Sequence, residues 1–273
     1  MATTFLVVPQ WQGSNSSRAL RLREGAEAIQ GDLPPKRTIA VDVPLGAGDA
    51  QGSGVHRLTA IQLIRNQMLD ALDAADGTPI TIGGDCGVSL AAILHANGRH
   101  GPVAVLWLDA HPALNTPETS PSGAFYGMVL RTLLGEGLEA LLPASPLSAD
   151  RVILAGTRAL DDAEAEYIDS CGIRMIGIDA LTVDSVLAAL TAMGADAVYL
   201  HLDLDVLDPA ELSGLDSPEP FGLGLASLIE LIHAVRGRFP LVGATLAGFA
   251  PASPQQAADD LPAILRLIGA LTA

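Results

Sequence analysis

The sequence predicts a three-layer α/β/α fold built on an eight-stranded parallel sheet. Eight short apolar runs, rich in β-branched residues, alternate with longer segments whose apolar residues recur at the spacing of a helix. The runs at 103–108 and 197–203 are apolar on both faces, as a parallel sheet covered by helices on both sides requires. Loops rich in Pro, Gly and Ser are scattered rather than concentrated at one boundary. We therefore predict a single domain over residues 1–273.

Each apolar run is short and bounded by turn residues, which is typical of a buried strand. The predicted strands lie at 4–8, 37–43, 79–82, 103–108, 151–155, 174–178, 197–203 and 241–246. The intervening segments are longer and place apolar residues on one helical face. The predicted helices lie at 18–29, 56–74, 88–96, 163–171, 183–192, 225–236 and 256–271.

The charge balance excludes several classes of partner. The chain has 273 residues with Lys+Arg 15 and Asp+Glu 31, hence a formal net charge of −16. A surface that binds nucleic acid or an anionic membrane needs an excess of Lys and Arg, so neither is expected as a partner. The apolar share of 49% supplies a buried core and excludes a disordered chain. The acidic excess fits either a solubilising surface or carboxylates gathered around a cation.

The cysteine content and the chain start predict a cytoplasmic protein. Cys86 and Cys171 are too few for a disulfide scaffold and fit a reducing compartment. The first residues carry no basic segment ahead of a short apolar run, and no stretch reaches the roughly 18 apolar residues of a membrane span.

Polar side chains follow two of the most apolar strands. Asp109 and His111 come directly after the strand at 103–108. Asp203 ends the strand at 197–203, and Asp205 follows two residues later. Alternation along an extended chain places each pair on one side, where both members reach one cation. The alternative for Asp109 is a helix N-cap beside a hydrogen-bonded histidine. Two ionised carboxylates at a strand end are costly without a cation, which favours a metal for Asp203 and Asp205.

A glycine-rich turn with one cysteine follows the strand at 79–82. Residues 83–89 read Gly-Gly-Asp-Cys-Gly-Val-Ser and open a helix, where backbone N–H groups bind anions. The turn has neither the GxGxxG pattern nor the lysine of a phosphate-binding loop. Cys86 is a soft metal ligand, a nucleophile with His111 as its base, or a small buried hydrophobe. No third group is evident that would orient a Cys86–His111 pair.

These motifs in this order resemble the ureohydrolase family, which includes arginase and agmatinase. The resemblance is strongest over 109–127 and 201–222. It implies an arginase-type fold, one or two Mn²⁺ ions at the carboxyl edge of the sheet, and a homo-oligomer, either trimer or hexamer. The metal pair lowers the pKa of a bridging water, which attacks the guanidinium carbon and releases urea or a substituted urea. The ligand positions that match the family's are Cys86, Asp109, His111, Asp203 and Asp205.

Four positions depart from the family pattern. Cys86 replaces a histidine ligand, and its thiolate is softer and more often chosen by Zn²⁺ or Fe. Ala113 replaces an aspartate ligand and cannot coordinate a metal. Tyr126 replaces a histidine that assists proton transfer. Gly248 replaces the glutamate that holds the guanidinium group, a loss that weakens binding of that cation.

The resemblance also implies an intact site for the amino-acid end of a substrate. Asn115 and Ser122 match the residues that hold the α-carboxylate, and Asp161 and Glu164 match the partners of the α-ammonium group. Asp161 and Glu164 are three residues apart, so an N-cap with its capping-box partner explains them equally well.

Two functions from different classes fit these observations. The first is a Mn-dependent hydrolase of a guanidino or amidino amino acid, such as arginine or N-hydroxyarginine, with an altered metal centre and with Asp109 and Tyr126 as catalytic residues. N-hydroxyarginine fits because its reacting group is less basic, and because Cys86 resembles the ligand of a hydroxyarginine-hydrolysing branch. The second is a catalytically silent homologue that acts as a binding or regulatory protein, which the losses at Ala113, Tyr126 and Gly248 favour.

Overall fold

The computed structural model describes residues 2–272 and contains an eight-stranded sheet in which every pair of neighbouring strands is parallel. The strand order is β2-β1-β3-β8-β7-β4-β5-β6. The strands are β1 Thr3–Val8, β2 Thr38–Ala40, β3 Thr78–Gly83, β4 Ala104–Leu108, β5 Val152–Ala155, β6 Arg174–Ile176, β7 Val198–Asp203 and β8 Leu241–Ala247. The predicted fold class is confirmed.

Helices follow the strands and cover the sheet. They are α1 Leu20–Gly31, α2 Leu58–Asp73, α3 Ser89–His100, α4 Val129–Leu133, α5 Asp162–Cys171, α6 Val183–Ala192, α7 Leu225–Arg238 and α8 Pro254–Thr272. Within residues 2–272, none of them has the length and apolar character needed to cross a bilayer.

Two apolar cores lie on opposite faces of the sheet. Helices α1, α6, α7 and α8 pack on one face, and α2, α3, α4 and α5 pack on the other. Successive residues of β4 alternate between the cores: Leu106 and Leu108 join the first, Val105 and Trp107 the second. This alternation is why the central strands are apolar throughout, since both of their faces are buried.

The outer strands and one helix differ from the sequence prediction. The edge strand β2 covers Thr38–Ala40 instead of 37–43, and Val41 adds one more bond by donating to the carbonyl of Val7 before the chain leaves the sheet. The other edge strand, β6, ends at Ile176 instead of 178. The five-residue helix α4 is too short for its periodicity to be visible in the sequence.

Candidate metal centre and active site

The carboxyl ends of the four central strands, β3, β8, β7 and β4, meet at one edge of the sheet. Asp109 directly follows β4 and Asp203 is the last residue of β7. Cys86 begins a 3₁₀ turn just after β3, and Gly248 follows β8. Strand order therefore brings together polar residues that are far apart in the chain, at the edge where ligands bind in open α/β sheets.

Asp109, His111 and Asp205 form the first group of ligating atoms. The Nδ1 atom of His111 donates to Oδ2 of Asp205 at 2.8 Å and lies 3.6 Å from Oδ1 of Asp109. Backbone N–H groups hold both carboxylates, because Ala110 donates to Asp205 and His111 donates to Asp109. One ligand atom of each side chain lies within 4.8 Å of the other two.

Cys86, Asp109 and Asp203 form a second group, with the same 4.8 Å limit between their ligand atoms. All three side chains are buried. The thiol of Cys86 donates to the carbonyl oxygen of Tyr126 at 3.3 Å, and the backbone N–H of Asp205 donates to Oδ1 of Asp203 at 3.1 Å. Asp109 belongs to both groups, so the two groups are neighbours.

Burial and mutual repulsion dominate the electrostatics of this cluster. Burial raises the pKa of Asp205 to about 7 and the pKa of Asp203 well above its ordinary value, and the nearby carboxylates add to both shifts. Burial also opposes ionisation of Asp109, but hydrogen bonds from His111 and His201 outweigh it and lower the pKa of Asp109. Burial opposes the charge on His111, and hydrogen bonds to Asp109 and Asp205 nevertheless raise its pKa to about 11. Without a cation, Asp203 and Asp205 therefore hold their protons more tightly than free carboxyl groups do.

His201 is a functional residue to which sequence analysis assigned no role. Its ring is fully buried and stacks on Trp107, with 3.5 Å between ring centroids. Its Nε2 atom lies 3.3 Å from Oδ2 of Asp109, and its Nδ1 atom lies 2.7 Å from the hydroxyl of Ser89. Burial lowers the pKa of His201, so the ring is neutral. The tautomer that satisfies both contacts donates from Nε2 to the carboxylate and accepts at Nδ1 from Ser89, which fixes the orientation of Asp109.

Asp85 is a second residue without a predicted role, and it ties the amino-terminal loop to the site. Its Oδ1 accepts from the Gln10 amide and the Gly87 backbone, and its Oδ2 accepts from the Gly13 backbone, each at 2.9 Å. Burial raises the pKa of Asp85 to about 6, although these bonds oppose the shift. Both oxygens are engaged, so Asp85 has a positioning role next to Cys86.

Tyr126, a predicted catalytic residue, faces the same cavity. Its hydroxyl donates to Oδ1 of Asn15 at 3.2 Å. Burial, followed by the charge of Asp216, raises the pKa of Tyr126 to about 12. The phenol therefore stays protonated near neutral pH and can act as a hydrogen-bond donor but not as a base.

Three of the four predicted substrate-binding residues meet at the start of α5. The amide of Asn115 donates to Oδ2 of Asp161 at 3.0 Å. Asp161 and Glu164 form a capping box, and Glu164 also accepts from the backbone N–H of Leu114 at 2.9 Å. The capping interpretation of this pair is thus present in the structure, and it fixes their position. Ser122 lies in the loop before Tyr126, where its hydroxyl accepts from the backbone N–H of Ala124.

The position of Gly248 is too crowded for any side chain. Gly248 has φ = +89°, and a Cβ atom there would lie 2.2 Å from Oδ1 of Asp203. The wall of the cavity at this point is therefore bare backbone. The cavity itself has a volume of about 20 Å³ and is lined by ligating residues together with Tyr126 and Asp216. That volume holds roughly one water molecule.

Comparison with known sequences decides the family. The sequence model of the arginase family matches residues 18–268. The chain belongs to the arginase family. An arginase of Staphylococcus aureus is 34% identical over 167 residues, which make up 57% of this chain and 55% of that protein. The match thus spans about half the length of this arginase.

One further relative and one solved structure are similar to this chain. The N(omega)-hydroxy-L-arginine amidinohydrolase of Streptomyces lavendulae is 32% identical over 195 residues, 71% of this chain and 68% of that protein. The crystal structure of the Entamoeba histolytica arginase in complex with L-ornithine has a TM-score of 0.87 at 22% identity and covers 98% of this chain and 97% of that chain. The latter likeness shows the fold.

The donor set of this arginase-family chain fits a divalent cation. Buried carboxylates with a single partly buried imidazole leave negative charge that a metal ion would compensate, and oxygen and nitrogen ligands suit Mn²⁺. Asp109, His111 and Asp205, the first group, would hold one ion. For a second ion, Cys86 would join Asp109 and Asp203, but Ala113 is buried in the apolar core and offers no ligand. The two sites are therefore unequal.

Proposed function

We propose that this protein is a divalent-metal-dependent hydrolase of a guanidino amino acid, either arginine or N-hydroxyarginine, and that Mn²⁺ is its metal. The observation that carries the proposal is the pair of ligand groups that share Asp109, each with its ligand atoms within 4.8 Å. Such a cluster of buried carboxylates makes the free energy of folding less favourable unless it binds a cation.

The residues around the cluster have separate parts in this reaction. A divalent ion bound there supplies Lewis acidity and lowers the pKa of a coordinated water molecule. Asp109, oriented by His111 and His201, sets the spacing of the two ligand groups. Tyr126 keeps its proton and donates a hydrogen bond toward the reacting group.

The amino-acid end of the substrate is assigned to the residues at the start of α5. Asn115 and Asp161 are joined by a hydrogen bond, so an amide donor and a carboxylate lie side by side. An amide N–H suits an α-carboxylate and a carboxylate suits an α-ammonium group. Glu164 braces Asp161 through the capping box, and Ser122 adds a hydroxyl from the neighbouring loop.

Two observations support N-hydroxyarginine as the substrate. An N-hydroxy-L-arginine amidinohydrolase matches 71% of the chain at 32% identity. The unequal ligand groups, with a thiol at Cys86 and no donor at Ala113, also point to a substrate more reactive than arginine.

Metal analysis combined with product assays tests the proposal. The purified protein is loaded with Mn²⁺, its metal content per chain is measured by mass spectrometry, and release of urea or hydroxyurea from the two substrates is followed. We expect bound metal and turnover, both lost in Asp205→Asn and both kept in Asp184→Asn, whose exposed side chain lies on α6. Bound Mn²⁺ without turnover of either substrate would overturn the proposal.

The second candidate function is a silent homologue that binds a ligand without hydrolysing it. Ala113 and Gly248 favour it, because one removes a ligand and the other leaves no room for a side chain. It predicts no stoichiometric metal after purification or dialysis against Mn²⁺. The single-domain organisation, the cytoplasmic location and the homo-oligomeric state stay predictions that go with either function.

A further inference from the structure

One carboxylate in the cavity is not committed to the metal ligands or to the fold. The cavity is lined by Asp85, Asp109, Asp203, Asp205 and Asp216. Three of them belong to the ligand groups, and Asp85 uses both oxygens to hold backbone and amide N–H groups. Asp216 remains, and it is partly buried.

Asp216 is held in place from two sides. Its backbone N–H donates to the carbonyl oxygen of Gly248 at 3.1 Å. Its Oδ2 accepts from the hydroxyl of Ser14 at 3.0 Å. Within residues 2–272, Oδ1 of Asp216 accepts no hydrogen bond, and the side chain lines the cavity. A carboxylate that is fixed through one oxygen and whose side chain lines a cavity is arranged to accept from a charged donor with its other oxygen.

Gly248, the neighbour of Asp216, accounts for the position of this carboxylate on the cavity wall. A Cβ atom at Gly248 would lie 2.2 Å from Oδ1 of Asp203, so the end of β8 carries no acidic group in this arrangement. Asp216, bonded to the backbone of Gly248, supplies a carboxylate on the same wall of the cavity. Its charge acts across the cavity, since Asp216 has the largest effect of any charged group on Tyr126.

We propose that Asp216 is the specificity-determining residue that pairs with the guanidinium or hydroxyguanidinium cation of the substrate. This inference rests on the proposed function. A guanidinium N–H donates to Oδ1 of Asp216, while Ser14 keeps Oδ2 in position. The cavity volume of about 20 Å³ is smaller than a guanidinium group, so the cavity must widen when the cation enters.

The test compares a cationic probe with its neutral isostere. Calorimetry on chelator-treated protein, in which hydrolysis does not compete with binding, measures the affinity for L-arginine and for L-citrulline, whose ureido group is uncharged. We expect the wild type to prefer arginine, and Asp216→Asn to lower arginine affinity by about 10- to 100-fold, as for loss of one charged hydrogen bond, with citrulline affinity unchanged. Asp184→Asn is the matched control and keeps the preference. Thermal unfolding confirms that each variant is folded.

A second variant tests the same interaction without replacing Asp216. Ser14→Ala leaves the carboxylate but removes the donor that orients it, and we expect a loss of arginine affinity of about three- to tenfold. The inference is overturned if the wild type shows no preference for arginine, or if Asp216→Asn keeps that preference. Loss of the preference in a protein that releases neither urea nor hydroxyurea would support the role of Asp216 and would reject hydrolysis.

Discussion

Replacing His201 with alanine should destabilise the protein severely, even without metal. The ring is fully buried, stacks on Trp107 at 3.5 Å between centroids, and joins Ser89 to Asp109. The substitution removes the stacking contact and leaves a buried hydroxyl and one carboxylate oxygen without that partner. Both consequences act on the folded state, so they are measurable in the metal-free protein.

The magnitude follows from two contributions. Truncating a buried aromatic side chain to alanine costs about 3–5 kcal/mol through lost packing and the cavity that remains. Leaving a buried polar atom unpaired costs about 1–3 kcal/mol. Because the new cavity relieves part of the second penalty, we expect His201→Ala to lose about 4–6 kcal/mol of unfolding free energy. A loss of this size is a large share of the roughly 5–15 kcal/mol by which a protein of this kind is stable.

Urea unfolding followed by circular dichroism, in the presence of a chelator, measures this loss. His201→Phe keeps the stack but not the hydrogen bonds and should lose about 2–3 kcal/mol, and Ser89→Ala about 1 kcal/mol. His100→Ala, at an exposed position at the end of α3, is the control and should change little. The reasoning is refuted if His201→Ala costs less than about 1.5 kcal/mol, or if His201→Phe is as stable as the wild type.

Three further substitutions have definite outcomes. Gly248→Ala places a Cβ atom 2.2 Å from Oδ1 of Asp203, on a backbone whose φ is +89°. Calorimetry should therefore show that the affinity for Mn²⁺ is reduced about tenfold or more, and an unchanged affinity would contradict this. Burial lowers the pKa of His95 below its ordinary 6.5, so the unfolded chain binds the proton more readily than the folded protein does. The free energy of unfolding therefore falls as the pH drops below 6.5. His95→Gln should reduce this pH dependence in unfolding measured between about pH 5 and 8. Asp161→Ala removes the N-cap of α5 and should cost about 1 kcal/mol in urea unfolding, whereas no change would mean that the capping box is idle.

Local patterns made the fold predictable from the sequence. Buried parallel strands such as β4 and β7 are apolar on both faces over only five or six residues, and β5 has the same pattern over four. Strand ends are less certain, because a strand at the edge of the sheet pairs on one side only. For that reason β2 stops at Ala40 and β6 at Ile176, although the apolar runs continue. The helix α4 has five residues, fewer than two turns, and so carries no periodic signal.

Without the family resemblance, which adds Cys86 and Tyr126, the candidate site was predictable only where its residues are neighbours in the chain. The sequence predicts the pairs Asp109 with His111 and Asp203 with Asp205, because residues two apart at a strand end lie on the same side. His201 does not, because its partners lie 92 and 112 positions away and only the sheet order brings them together. Asp216 was hidden for the same reason, since its significance depends on Gly248 and Ser14. An Asp inside a Gly- and Pro-rich loop is otherwise the mark of a turn.

The buried carboxylates bear on the choice between a working hydrolase and a silent homologue. The backbone N–H groups that Asp203 and Asp205 accept would be accepted equally well by the amide oxygen of an asparagine. At Asp203 the fold therefore needs the hydrogen bond but not a charge, and a charge there raises the free energy of the metal-free protein. A bound cation would offset this increase in free energy. Asp109, His111 and Asp205 still converge, although Ala113 offers no ligand and Gly248 leaves the cavity wall bare. We therefore propose a centre that binds metal in preference to a silent homologue, and metal content per chain decides between the two.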